Sequence, residues 1–162
     1  MAEDLAALHA IQSREDVTRW LYWGPRSESE VREVLDGLIE RPAAAGPWFA
    51  VERLDTPGLI GTVSLQLGEH RHGEIGFTFH PEHQGHGYAT EASRELLRIA
   101  FEDHDLHRVY ARLEPRNVAS ARVLEKLGMR REALLLENES VKGEWQSEAI
   151  YALLAREWEA LG

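Results

Sequence analysis

The segment of this 162-residue chain whose residue types and spacing are best suited to chemistry is Gln84-Gly85-His86-Gly87-Tyr88-Ala89-Thr90-Glu91. It follows a stretch predicted as a strand, Glu74 to His80, and opens an amphipathic helix. Two glycines at a strand-to-helix turn let the backbone come close to a ligand and aim successive N–H groups at one point. The helix behind them adds unpaired N–H groups and the positive end of its dipole. Together these features predict a seat for a phosphate or pyrophosphate, and hence a nucleotide-like anion as ligand.

Two familiar phosphate-binding turns do not fit. A dinucleotide-binding fingerprint would put its third small residue at Thr90, and the strands ahead of it read as a meander rather than a strand–helix–strand opening. A Walker loop would need Gly-Lys-Ser or Gly-Lys-Thr, which is absent. The eight histidines include His70-x-His72 and His80-x-x-His83-x-x-His86. They fall on a turn, a strand end and a loop with no carboxylate at supporting spacing, so no metal centre is expected. The chain has no cysteine, which excludes thiolate ligands and a thiol nucleophile. From His107 to Arg131, five arginines and one lysine besides Arg131 face only Glu114 and Glu125. This basic island reads as a solvated face, or as a seat for further phosphates beside the glycine turn.

The elements that must position this turn follow from periodicity. Glu3 to Ile11 reads as a helix, followed by the aromatic loop Trp20-Leu21-Tyr22-Trp23-Gly24-Pro25, and Ser27 to Glu30 resembles a capping box before a helix to about Glu40. Trp48 to Leu54, Leu59 to Leu67 and Glu74 to His80 read as strands joined by short turns, an antiparallel meander. The helix after the glycines sets Glu91, Arg94, Glu95, Arg98 and Glu102 against Ala92, Leu96, Leu97 and Ala100. Strand His107 to Glu114, helix Asn117 to Leu127 stopped by Gly128, and strands Arg130 to Glu137 and Gln146 to Leu154 complete the order.

The pattern Gln84-x-x-Gly87-x-Ala89, followed by Asn117-x-x-Ser120 and Leu124-Glu125-Lys126-Leu127-Gly128, resembles the GNAT superfamily of acetyl-CoA-dependent N-acetyltransferases. Within it the chain looks most like the branch that acetylates N-terminal amines of ribosomal proteins, over roughly Trp48 to Trp158. The resemblance implies a single α/β (α+β) domain over residues 1–162, with a central, mostly antiparallel mixed sheet flanked by helices. Relatives open with a strand before the first helix; that first strand is apparently missing here, which would expose the next strand as an edge and could promote a homodimer.

The same resemblance implies functions for individual residues. Pantetheine would lie along Phe77, Thr78 and Phe79, with Gly76 marking a bulge or a close backbone approach. The amides of Gln84, Gly85, His86, Gly87, Tyr88, Ala89 and Thr90 would hold the pyrophosphate, and Asn117, an N-cap, would also contact the cofactor. Many relatives carry a tyrosine acid at the position of Leu124, which leaves Ser120 as proton donor or as a helix-packing residue. Glu74 is the implied general base and acceptor contact, or else a strand-end charge in solvent, with His80 and His83 next in line. Trp23 and Trp145 would flank an aromatic, acidic acceptor cleft near Glu139, Glu144 and Glu148, with Trp20 capping the core. Neutralising a lysine-like amine at pH 7 costs roughly 4.6 kcal/mol and an α-amine only about 1.4 kcal/mol, so a weakly supported base suits the latter. The implied reaction is direct acetyl transfer to a primary amine, a protein N-terminus or a small molecule. Its alternative is a non-catalytic acyl-CoA-binding or sensing module.

Composition is consistent with this. With 43% apolar residues, the chain can bury a packed core. A net charge of −10 argues against nucleic acid as the main partner. The longest apolar run, Ala149 to Ala155, is far short of the ~20 residues that span a bilayer, so no membrane partner is expected. The first residues, with Glu3 and Asp4 before any base, do not read as a signal peptide, and a cytoplasmic location is expected.

Overall fold

The computed structural model describes residues 4–162, so the proposed helix start at Glu3 lies outside the described residues. Helices α1 (Leu5–Gln12), α2 (Glu15–Thr18) and α3 (Glu28–Ile39) come first. Ser27 caps α3 as its sequence implies: its hydroxyl accepts from the Glu30 N–H and the Glu30 carboxylate accepts from the Ser27 N–H. Strands β1 (Trp48–Glu52), β2 (Leu59–Leu67) and β3 (His72–Phe79) form the antiparallel meander. Helix α4 (Tyr88–Arg98), strand β4 (Arg108–Leu113), helix α5 (Val118–Lys126), strands β5 (Arg130–Val141) and β6 (Glu144–Leu154), and helix α6 (Ala155–Leu161) follow.

The six strands make one sheet in the order β1-β2-β3-β4-β6-β5, with β3–β4 as the one parallel pair. Among the described residues no strand precedes α1, and β1 is a sheet edge. The sheet is continuous except at one place. β3 and β4 pair only from His72–Arg108 to Glu74–Tyr110 and then part, so the sheet opens between them toward their C-terminal ends. The His80 N–H donates to the Ile60 carbonyl, which fixes the alternation along β3. Even-numbered residues turn their backbone groups to β2, and the Phe77 N–H and C=O point the other way, into the opening.

Two apolar layers hold the opening in place. On one face, Leu96, Leu97, Ala100, Leu124 and Leu127 of the helices pack on Val63, Leu65, Ile75, Phe79, Val109 and Tyr151. On the other, Leu5, Leu8, Val31 and Leu35 make a smaller cluster with Trp48 against it. The carboxyl end of α4 widens into a π-helical turn, Ile99–Asp103, closed by a bond from the His104 N–H to the Ile99 carbonyl. The residue pattern predicts no helix at α6, a short segment without a polar N-cap side chain; Trp158 anchors it by stacking on Phe101. The pattern also ends β5 at Glu137. The strand runs on to Val141 past an irregularity between Leu135 and Glu139, and turns at Lys142 and Gly143, both with positive φ.

Candidate active site

The glycine turn has the geometry its sequence implies. Gly85 and Gly87 stand at φ +78° and +89°, and a Cβ at either position would meet nothing within 4 Å. These glycines are therefore required by backbone conformation, and the space above them is open to a ligand. Gly87 is the N-cap of α4 and makes no side-chain cap, so the first N–H groups of the helix keep free donors. Gln84 serves the scaffold, since its Nε2 donates to the Phe79 carbonyl at 3.1 Å, where β3 has lost β4 as a neighbour. The His86 Nδ1 bonds the Gln84 carbonyl at 2.9 Å, and its ring stacks on Tyr88 at 5.6 Å between centroids. Thr90 and Gly87 also border a shallow hollow shared with Arg94 and Lys126, which brings part of the basic island beside the turn.

From the opening between β3 and β4, a cavity of about 370 Å³ passes through the sheet. Its lining includes Phe77, Asn117, Ser120 and Leu124, and also Trp20, Tyr22, Trp23, Arg26, Arg41, Thr62, Ser64 and Gln66. Thr78 and Gly76, the register partners of Thr62 and Ser64, line it as well. Phe79 is instead buried in the core. No bulge occurs at Gly76, because the β2–β3 register is unbroken from Gly61–Phe79 to Leu67–Gly73. Its missing side chain makes room instead, since a Cβ there would lie 3.1 Å from the Ser64 Oγ. The Asn117 Oδ1 accepts from the Ser120 N–H at 3.2 Å and caps α5, leaving the Ser120 hydroxyl on the cavity wall.

The carboxylates are arranged differently from the sequence expectation. Glu74 does not line the cavity. It receives the Arg112 guanidinium at 2.9 and 3.1 Å, a two-bond pair. Arg112 lines the cavity and also lies 3.7 Å from Glu148, which is buried and accepts from the Tyr22 hydroxyl at 2.8 Å. Burial first, and the hydrogen bond to Glu148 second, push Tyr22 up to about 12. Glu114 is the one carboxylate on the wall, and the Arg116 guanidinium holds it below the usual carboxylate range.

The segment from Thr18 to Tyr22 meets the β5–β6 hairpin through Tyr22–Glu148 and through the Lys142 ammonium donating to the Thr18 and Arg19 carbonyls. Trp145, however, projects from the hairpin at 66% exposure and takes no part in the cavity. Trp20, expected to cap the core, lines the cavity beside Trp23. The acceptor-side wall is not acidic, because Arg26 and Arg41 are on it. His80 caps the turn at Pro81–His83 and, like His83, lies off the cavity. Among the described residues no group of three or more histidine, aspartate or glutamate side chains could hold a metal ion, and no helix is long and apolar enough to cross a membrane.

Residues 1–130 match the acetyltransferase (GNAT) domain family. The chain belongs to the GNAT acetyltransferase family. YdaF of Bacillus subtilis, named "Putative ribosomal N-acetyltransferase", is 32% identical over 162 residues, covering 98% of this chain and 88% of its own. A GNAT-family acetyltransferase from Bacillus anthracis has the same fold at a TM-score of 0.88 and 31% identity, covering 97% of this chain and 92% of its own. The spermidine N-acetyltransferase of Vibrio cholerae, solved in complex with CoA and spermine, matches at a TM-score of 0.84 and 25% identity, over 98% of this chain and 94% of its own. The family membership and fold read from Gln84, Gly87 and Ala89 are therefore met. Cavity residues with no counterpart among the sequence expectations include Gln12, Arg26, Arg41, Ser64 and Gln66. Only the fold brings them together; the sole local signal is Arg26, three residues after Trp23.

Proposed function

We propose that this chain transfers the acetyl group of acetyl-CoA to a primary amine, with both substrates held in the cavity that passes between β3 and β4. The observation that carries this reading is the pairing of an open glycine turn at the N-terminus of α4 with a gap in the sheet next to it. Acetyl-CoA supplies an activated acetyl thioester. The turn from Gln84 to Thr90 offers backbone N–H groups and a helix dipole suited to its pyrophosphate. Phe77 offers strand-edge backbone groups in the opening, suited both to an amide-rich arm and to an oxyanion.

The remaining residues handle protons and position. Ser120 is a hydroxyl residue that α5 places on the cavity wall, where Leu124 supplies none, and we assign it as proton donor to the departing thiolate. Glu74 acts at one remove, by fixing the Arg112 guanidinium on the wall, while the proton of the amine leaves to water. Glu114, the carboxylate on the wall, is held below its usual range, so the wall supplies only a weak base and the reaction draws on the neutral fraction of the amine. Titration calorimetry with acetyl-CoA, followed by thiol-release kinetics with amines, tests the reading. Binding with thiol release is expected. Binding without release to any amine supports the sensing alternative, and no binding overturns the assignment of the turn.

A further inference from the structure

The acceptor-side half of the cavity, under α1 and α3, carries charge of one sign. The Arg26 Nη1 donates at 2.8 Å to Gln12 Oε1, a neutral acceptor, and its guanidinium lies 3.8 Å from the centroid of the Trp23 ring. The Arg41 Nη2 donates at 2.7 Å to the Ala45 carbonyl, while its Nε is buried with no hydrogen-bond partner. Among the described residues neither guanidinium makes a contact ion pair with a carboxylate, although the Glu30 charge reaches Arg26. The other charges on the wall are neutralised locally: Arg112 by Glu74, and Glu114 by Arg116.

The chain carries a net charge of −10, and Arg14, Arg53, Arg71, Arg98, Arg108 and Arg130 take carboxylate partners, so an acidic partner for a cavity arginine is not scarce. Two arginines on the wall of one cavity, each guanidinium bonded to a neutral acceptor, keep further N–H donors for an acceptor from outside the chain. The aromatic rings point the same way. Trp23 already holds Arg26, and Trp20 holds Arg19 at 4.6 Å and Arg116 at 5.2 Å, so cationic charge already occupies the sites a polyamine would need. The cavity volume of about 370 Å³ lies in the small-molecule range.

We propose that the acceptor is a small primary amine carrying an anionic group, a carboxylate or phosphonate, which Arg26 and Arg41 bind while the amine faces the opening between β3 and β4. This rests on the acetyl-transfer reading and specifies its acceptor. Gln12, Ser64 and Gln66 supply neutral polar contacts on the same wall, and the two guanidiniums set the orientation.

Thiol release from acetyl-CoA is measured with glutamate, 2-aminoethylphosphonate, glutamate diamide, spermidine and an alanine-initiated peptide without charged side chains. The two anionic amines should show kcat/KM at least tenfold above the diamide and spermidine. Arg41→Gln and Arg26→Gln should each raise the KM of the preferred anionic amine at least tenfold, leave the KM of acetyl-CoA unchanged, and leave or improve that of spermidine. Arg41→Lys should restore part of the loss. Melting temperatures of the variants separate lost folding from lost recognition. Preference for spermidine or the peptide, or unchanged KM in Arg41→Gln, overturns this inference alone. No release with any amine overturns the acetyl-transfer reading and this inference with it.

Discussion

The glycine turn and the far wall of the cavity are built for recognition in opposite ways. The proposed donor end offers backbone: two glycines at positive φ, an uncapped helix start and strand-edge groups that point into a gap. The acceptor end relies on side chains, with Trp20, Tyr22, Trp23, Arg26 and Arg41 gathered from a loop and helix ends onto the wall of β2 and β3. Backbone recognition needs particular residues at fixed spacing, because only glycine takes those dihedral angles freely. Side-chain recognition needs only that charges and rings converge in space. The first leaves a mark in sequence, and the second leaves almost none.

The largest expected effect is at the donor end. Asparagine tolerates the left-handed conformation, so Gly87→Asn should keep α4 intact while placing a side chain in the open space above the turn. Acetyl-CoA affinity should fall at least tenfold, about 1.4 kcal/mol, by calorimetry. Unchanged affinity in a folded variant would show that this turn does not carry the pyrophosphate.

Between the two ends sits Ser120. Ser120→Ala should lower kcat by roughly tenfold or more, within the range of general acid catalysis, with acetyl-CoA affinity kept. Equal kcat would reduce Ser120 to a packing residue. A smaller, severalfold loss is expected for Glu74→Gln, which releases Arg112 from its two-bond pair without emptying any position on the cavity wall. If the loss matches that of Ser120→Ala, Glu74 acts more directly than its placement beside Arg112 implies.

The donor end, the meander and the helix after the glycines can be read from Gln84 to Thr90 and from strand alternation alone. What cannot be read is pairing. Glu74 looks like a free carboxylate in sequence because nothing in its neighbourhood reveals Arg112, thirty-eight residues away on the neighbouring strand β4. Trp145 and Trp23 look alike, each near glycine, yet one ends on an exposed hairpin and the other beneath a guanidinium. The hairpin itself is foreshortened in the sequence pattern because Lys142-Gly143 is a weak turn signal and the irregularity after Leu135 breaks the alternation.

Two smaller tests concern the rim of the acceptor end. Tyr22 is raised to about 12 in the folded chain, so its neutral form is favoured by folding. That contribution should be full below the ordinary tyrosine pKa of about 10 and vanish as pH rises through the folded value. In an ultraviolet pH titration, Tyr22→Phe should remove the most alkaline tyrosine step; an unchanged profile would detach Tyr22 from Glu148. Trp145→Ala should leave the amine KM unchanged, since the ring stands outside the cavity. A raised KM would bring the hairpin tip back into the acceptor site.

The central claim is that the glycine turn and the gap between β3 and β4 form one binding track that ends beside Ser120. A crystal structure of the protein with CoA tests it most directly. The account predicts the pyrophosphate on the N–H groups of the turn from Gln84 to Thr90, and the sulfur in the opening between the Phe77 backbone and Ser120. A pyrophosphate seated away from this turn, or a sulfur outside the opening, would contradict it.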